Sequence, residues 1–176
     1  AIIVGSNTVR RDNPYLTSHS DTAHNPLRVV MSRQLDLPKT AESGDPLHLW
    51  DTTLADTTVI TQTGANPELQ AWLRDQGVNV IELDAVTPDA AMKYLGKFGA
   101  LSVLWECGGT LAAQAIAQGA VQKVLAFIAP KIVGGTTAPL PVGDLGITTM
   151  TEALTLERME IQKIGTDWMI TGYLPC

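Results

Sequence analysis

Short apolar runs rich in Val and Ile alternate along the chain with stretches whose apolar residues recur at helical spacing, and turn-forming residues separate the two kinds. Ala1-Ile2-Ile3-Val4-Gly5 reads as a buried strand, and residues 27–31 and 57–61 read as two more. The stretch 36–45 carries Pro, Gly and charge and reads as loop. Asn66-Pro67 has the form of a helix start, with Asn as cap and Pro in the first helical position; Leu69, Trp72 and Leu73 follow on one face and Gly77 stops it. Residues 78–81 make the next strand. Thr87-Pro88 then opens a helix that carries Ala91, Tyr94, Leu95 and Phe98 on one face and ends at Gly99. A strand over 101–105 runs into Glu106-Cys107-Gly108-Gly109-Thr110, and a helix follows over about 111–118. Residues 121–129 read as a strand, 134–146 as a long Gly- and Pro-rich loop, and 154–164 with 168–174 as a hairpin turned at Gly165-Thr166-Asp167.

This alternation predicts an α/β domain: a mostly parallel central sheet with helices on both faces, three layers in all, and a C-terminal antiparallel hairpin added at its edge. The length of 176 residues fits one domain spanning 1–176, with no repeat or linker inside it. Aromatic residues make up only 5%, so the core must be built from Ala, Val, Ile and Leu. A formal net charge of −6 argues against a nucleic-acid polymer as partner, because binding one needs a basic stripe. Two cysteines, Cys107 and Cys176, make no disulfide framework. No apolar run approaches the roughly 20 residues of a membrane span, and no basic leader with an apolar stretch is visible. These features predict a cytoplasmic protein with no membrane partner. The opening on a core strand leads us to expect that the domain's first residues precede Ala1.

In parallel α/β sheets ligands bind beyond the carboxyl ends of the strands. Residues 105–110 sit at such an end: two glycines allow close backbone approach, and the next helix begins there with unpaired N–H groups suited to phosphate. The segment is neither a Walker A loop nor a G-x-G-x-x-G turn, and a plain strand-to-helix turn is the alternative. Glu106 could accept a hydroxyl or ring N–H, or simply sit favourably at a helix start. Residues 8–17 are polar and follow a strand end; Arg10, Arg11 and Asp12 could bind phosphate, or form a solvated turn with a local ion pair. His19, His24 and His48 have no metal-ligand spacing, and no zinc-deaminase or G-x-S-x-G motif occurs. Cys107 has no sequence partner to activate it and reads as a spectator thiol.

The two clusters together resemble a known family. Residues Gly5-Ser6-Asn7-Thr8-Val9-Arg10-Arg11-Asp12-Asn13-Pro14-Tyr15-Leu16-Thr17 are similar to the G-x-x-T-x-x-x-D-x-P-x-L-T signature of the riboflavin-biosynthesis reductase domain, a dihydrofolate-reductase-like fold. Glu106-Cys107-Gly108-Gly109-Thr110-Leu111 and Ile128-Ala129-Pro130-Lys131-Ile132-Val133-Gly134 resemble its second and third motifs. The Trp105–Gly109 form and the Gly143-Asp144-Leu145-Gly146 loop look most like cyanobacterial members.

The resemblance implies NADPH-dependent reduction of 5-amino-6-(5-phosphoribosylamino)uracil, a phosphorylated pyrimidine, in a protein that usually dimerises; the apolar edge over 168–174 is the expected interface. It implies cofactor contacts at Thr8, Asp12, Arg33, Gly108, Gly109, Thr110, Leu111, Ala112, Ala113 and Gln114, with Arg33 suited to the 2′-phosphate. It implies substrate contacts at Leu16, His19 and Glu106. His19 stands where the family has an arginine. The resemblance also places the family's first strand, its substrate loop and a zinc deaminase domain ahead of Ala1, so weak or no turnover is expected of the 176 residues alone. Another pterin or pyrimidine reductase of the same fold, or a nucleotide-binding remnant without activity, are the alternatives.

Overall fold

The structure is a computed structural model that describes residues 1–18 and 24–175. The substrate position expected at His19 lies outside the described residues, as does Cys176. Five strands form an all-parallel sheet in the order β4-β3-β2-β1-β5: β1 (Ile2–Gly5), β2 (Arg28–Met31), β3 (Thr57–Gln62), β4 (Asn79–Leu83) and β5 (Leu104–Trp105). Helices α1 (Ser6–Asp12), α2 (Pro67–Asp75), α3 (Pro88–Phe98) and α4 (Gly109–Ala117) follow β1, β3, β4 and β5.

The register explains why the strand sequences are continuously apolar. Pairing sets Val4, Val30, Val59 and Val80 side by side, and all four are buried in one core with Val9 of α1 and Leu69 and Leu73 of α2. The alternate positions Ile3, Val29, Met31 and Ile60 enter a second core with Ala91 and Leu95 of α3, against which Trp105 and Leu111 pack. Side chains on successive strand residues point to opposite faces, so a sheet covered on both sides leaves no polar face to alternate with. The helix starts follow the capping logic. The Asn66 side chain accepts the Leu69 N–H at 3.1 Å, and Thr87 Oγ1 accepts that of Ala90 at 3.2 Å.

Three elements differ from the sequence expectation. Residues 6–12 form a short helix rather than a polar turn: Val9 alone is buried, so the segment shows no helical period. The strand over 101–105 shrinks to Leu104–Trp105, because its pairing with β1 begins at Ile2↔Leu104 and Leu101 lies in solvent. The hairpin does not extend the parallel sheet. β7 (Glu157–Ile164) and β8 (Asp167–Tyr173) join β6 (Lys123–Ile128) in a separate antiparallel sheet of order β6-β8-β7. β8 is its central strand, with Met169 paired to Phe127 on one side and to Gln162 on the other. The edge expected over 168–174 for self-association is therefore occupied on both sides, and the free edges belong to β6 and β7.

Candidate functional site

The strand order creates a crevice. β1 to β4 build outward in one direction, and the chain then returns to place β5 on the other side of β1. At such a switch the connections leave toward opposite faces of the sheet. α1 anchors Val9 in the first core and α4 lays Leu111 on the second, and the space between them is open.

A cavity of about 700 Å³ occupies this space, within the size range of ligand sites. Gly5, Ser6, Asn7, Thr8, Arg10, Arg11 and Asp12 form one wall, and Met31 and Arg33 come from the end of β2. Gly108, Gly109, Thr110, Leu111 and Gln114 form the opposite wall, with Val86 and, from the long loop, Pro139, Leu140 and Gly143. Of the ten expected cofactor residues, Thr8, Asp12, Arg33, Gly108, Gly109, Thr110, Leu111 and Gln114 meet here. Ala112 and Ala113 lie off the lining, Ala113 on the buried side of α4.

The cavity is electropositive by construction. α4 starts at Gly109 with no side-chain cap, so its first N–H groups and the positive end of its dipole face the space. Arg10 is engaged: its guanidinium donates to the Asp36 carbonyl at 2.5 Å and to Asn7 Oδ1 at 2.9 Å, and pairs with the Asp36 carboxylate at 3.3 Å. The local ion pair foreseen for this cluster thus forms with Asp36 and not with Asp12. Arg11 and Arg33 have no side-chain hydrogen bond or ion pair among the described residues. The Arg33 backbone is nonetheless fixed, its carbonyl accepting from Thr61 Oγ1 at 3.2 Å and from the Gln62 N–H at 3.1 Å.

Arg33 also borders a smaller cavity of about 290 Å³, lined by Gln34, Gln62, Thr63, Gly64 and Ala65. The turn at its rim is held by Glu82, which accepts the Gly64 N–H at 2.6 Å and Gln70 Nε2 at 3.0 Å. Those hydrogen bonds, the one from Gln70 first, hold the Glu82 carboxyl below its usual range.

Two expected substrate residues stand outside the cavity lining. Leu16 is buried in the first core with φ at +51°, and Glu106 follows β5 with its N–H bonded to the Ile3 carbonyl at 3.0 Å. Cys107 is partly buried, and desolvation pushes its thiol up to about 11. Among the described residues no cluster could hold a metal ion, and no helix is long and apolar enough to cross a membrane. Sequence reasoning missed Pro139, Leu140 and Gly143 as part of this wall; composition marked their segment only as loop.

The family model of the RibD C-terminal domain matches residues 1–170. The chain belongs to the RibD C-terminal domain family. A RibD riboflavin biosynthesis protein of Synechocystis is 52% identical over 174 residues, covering 99% of this chain and 46% of its own length. The chain thus spans less than half of that RibD protein. A 2,5-diamino-6-ribosylamino-4(3H)-pyrimidinone 5′-phosphate reductase of Methanothermobacter thermautotrophicus is 33% identical, with 97% of this chain and 77% of the relative covered. Among solved structures, Acinetobacter baumannii RibD superposes with a TM-score of 0.79 at 21% identity, over 99% of this chain and 47% of that one. That likeness shows the fold, the dihydrofolate-reductase-like α/β architecture.

Proposed function

We propose that this RibD C-terminal domain reduces 5-amino-6-(5-phosphoribosylamino)uracil to the ribitylamino product with NADPH. One observation carries the reading: a single cavity at the carboxyl edge of the sheet unites an uncapped helix N-terminus with two guanidinium groups, Arg11 and Arg33, that are unpaired among the described residues. A dinucleotide with a pyrophosphate and a further phosphate needs that set of charges. The name of the Methanothermobacter relative supports a phosphorylated ribosylaminopyrimidine as the substrate class.

The residues present fit NADPH. Around Gly108 a Cβ would meet nothing within 4 Å, so the backbone before α4 is open to a bulky anion. The turn over 108–114 would hold the pyrophosphate through N–H groups, and Arg33 would hold the 2′-phosphate. Thr8 and Asp12 offer a hydroxyl and a carboxylate from the opposite wall. NADPH held there would supply a hydride to C1′ of the ring-opened imine, with solvent providing the accompanying proton and oxidised cofactor left behind. The chain's own contribution is to orient the two reactants and to balance phosphate charge. A homodimer, a cytoplasmic setting and the substrate contacts of Leu16, His19 and Glu106 belong to the same proposal.

The test is incubation of the purified protein with NADPH and the phosphorylated substrate, with the product identified by mass. A gain of two hydrogen atoms, matched by oxidised cofactor, is expected. NADPH consumption with a different pyrimidine and none with this substrate would sink the assignment.

A further inference from the structure

The loop over 134–146 lies against the first turn of α4 through backbone atoms of Leu140, Val142 and Gly143, packed on Gly109. The Gly143 N–H donates to the Gly109 carbonyl at 2.9 Å, on the first turn of α4. A Cβ on Gly109 would lie 2.5 Å from the Leu140 carbonyl oxygen and 3.0 Å from the Gly143 nitrogen. A Cβ on Gly143 would lie 3.1 Å from the Gly109 oxygen. Ordinary contact begins near 3.4 Å, and each of these neighbours is backbone, which cannot swing aside as a side chain can.

The rest of the loop has little to hold it. Leu140 is 69% exposed although it lines the cavity, and Ile132 and Val133 before it are almost wholly in solvent. Few buried apolar contacts mean low local stability, so such a segment opens more readily than the sheet beneath it. These backbone contacts on Gly109 therefore set where 139–143 sits over the helix turn.

We propose that Gly109 and Gly143 are positioning residues for the cofactor: their contact seats segment 139–143 as a removable wall of the site and sets how long NADPH stays bound. The inference rests on the NADPH reading above. Adding one methyl group at either position pushes the wall off α4. Release then quickens, because the loosened wall changes the dissociation rate more than the approach of the ligand.

Stopped-flow fluorescence of NADPH displacement, on the intact protein and its variants, tests this directly. Gly143→Ala should release NADPH about 3- to 10-fold faster, and Gly109→Ala, with its tighter clash, at least about 10-fold faster. The double variant should be no faster than Gly109→Ala, since both changes break the same contact and such pairs do not add. A purely structural defect would lower thermal stability but would not give that non-additivity in the release rate. Release from Gly143→Ala within about 2-fold of the parent, with NADPH still binding, overturns the proposal. Should the variant not fold, hydrogen exchange on the parent decides: NADPH must slow exchange at 139–143, and unchanged exchange there overturns it. Absence of any NADPH binding by the parent protein overturns the cofactor reading first, and this inference with it.

Discussion

The guanidinium of Arg28 donates to the carbonyl oxygen of His48 at 3.0 Å from a position with no exposed surface. The same group reaches the carbonyls of Tyr15, Asp51 and Ala55, at 3.4, 2.8 and 2.5 Å. It ties the segment after α1 and the segment before β3 to the start of β2. Burial lowers its pKa, opposed by Asp51 and Asp56. Replacing Arg28 with Met leaves these carbonyls dry and unpaired, at a cost of about 3–5 kcal/mol. Urea unfolding measures it, and a loss below about 1 kcal/mol would mean that water reaches the vacated oxygens.

Arg33→Ala tests the phosphate reading separately from the loop. The side chain has no partner to lose among the described residues, so stability should stay within about 0.5 kcal/mol. NADPH should bind about 10-fold more weakly, equivalent to about 1.4 kcal/mol. NADH, which lacks the 2′-phosphate, should be little affected. Equal losses for both nucleotides would move Arg33 away from that phosphate.

Cys107 should behave as an inert thiol. Desolvation places its ionisation at about 11, against an ordinary value of 9.0. The folded pKa is raised, so the associated stability is complete below the unfolded value and is lost as pH climbs from about 9 towards 11. Alkylation followed against pH, in a Cys176→Ser background, should rise with a midpoint near 11. A midpoint near that of a free thiol would show a more open site. Cys107→Ala should keep its turnover.

Glu82 contributes to stability on the acid side. Its folded pKa lies below the ordinary 4.5, so its contribution is present above that value and fades as pH falls through the lower folded one. Thermal melts from neutral pH downward should therefore show a shallower acid limb for Glu82→Gln than for the parent. Identical limbs would place the acid sensitivity on other carboxylates.

Much of the fold was legible because it is local. Val4, Val30 and Val59 lie in runs apolar on both faces, and Asn66-Pro67 and Thr87-Pro88 announce helices through their own capping atoms. Pairing is not local. Nothing in residues 123–128 states that β6 takes β8 as its neighbour in a second sheet, and nothing in 168–173 marks β8 as central. The site divides in the same way. Thr8, Asp12 and the turn before α4 sit at strand ends that can be counted along the chain, and the family motifs mark them. Pro139, Leu140 and Gly143 join through backbone contact, which leaves no pattern of side chains to read.

The return of the chain across β1 to form β5 has a consequence for biosynthesis. The arginine wall is complete once Arg33 has been made, but the helix-terminus wall begins only at Gly108. On the proposed reading, a growing chain therefore cannot enclose a dinucleotide between both walls until α4 has emerged and docked. If NADPH is the ligand proposed above, its capture then reports on a finished sheet, and supplying it during synthesis rewards only chains that have already closed the crevice.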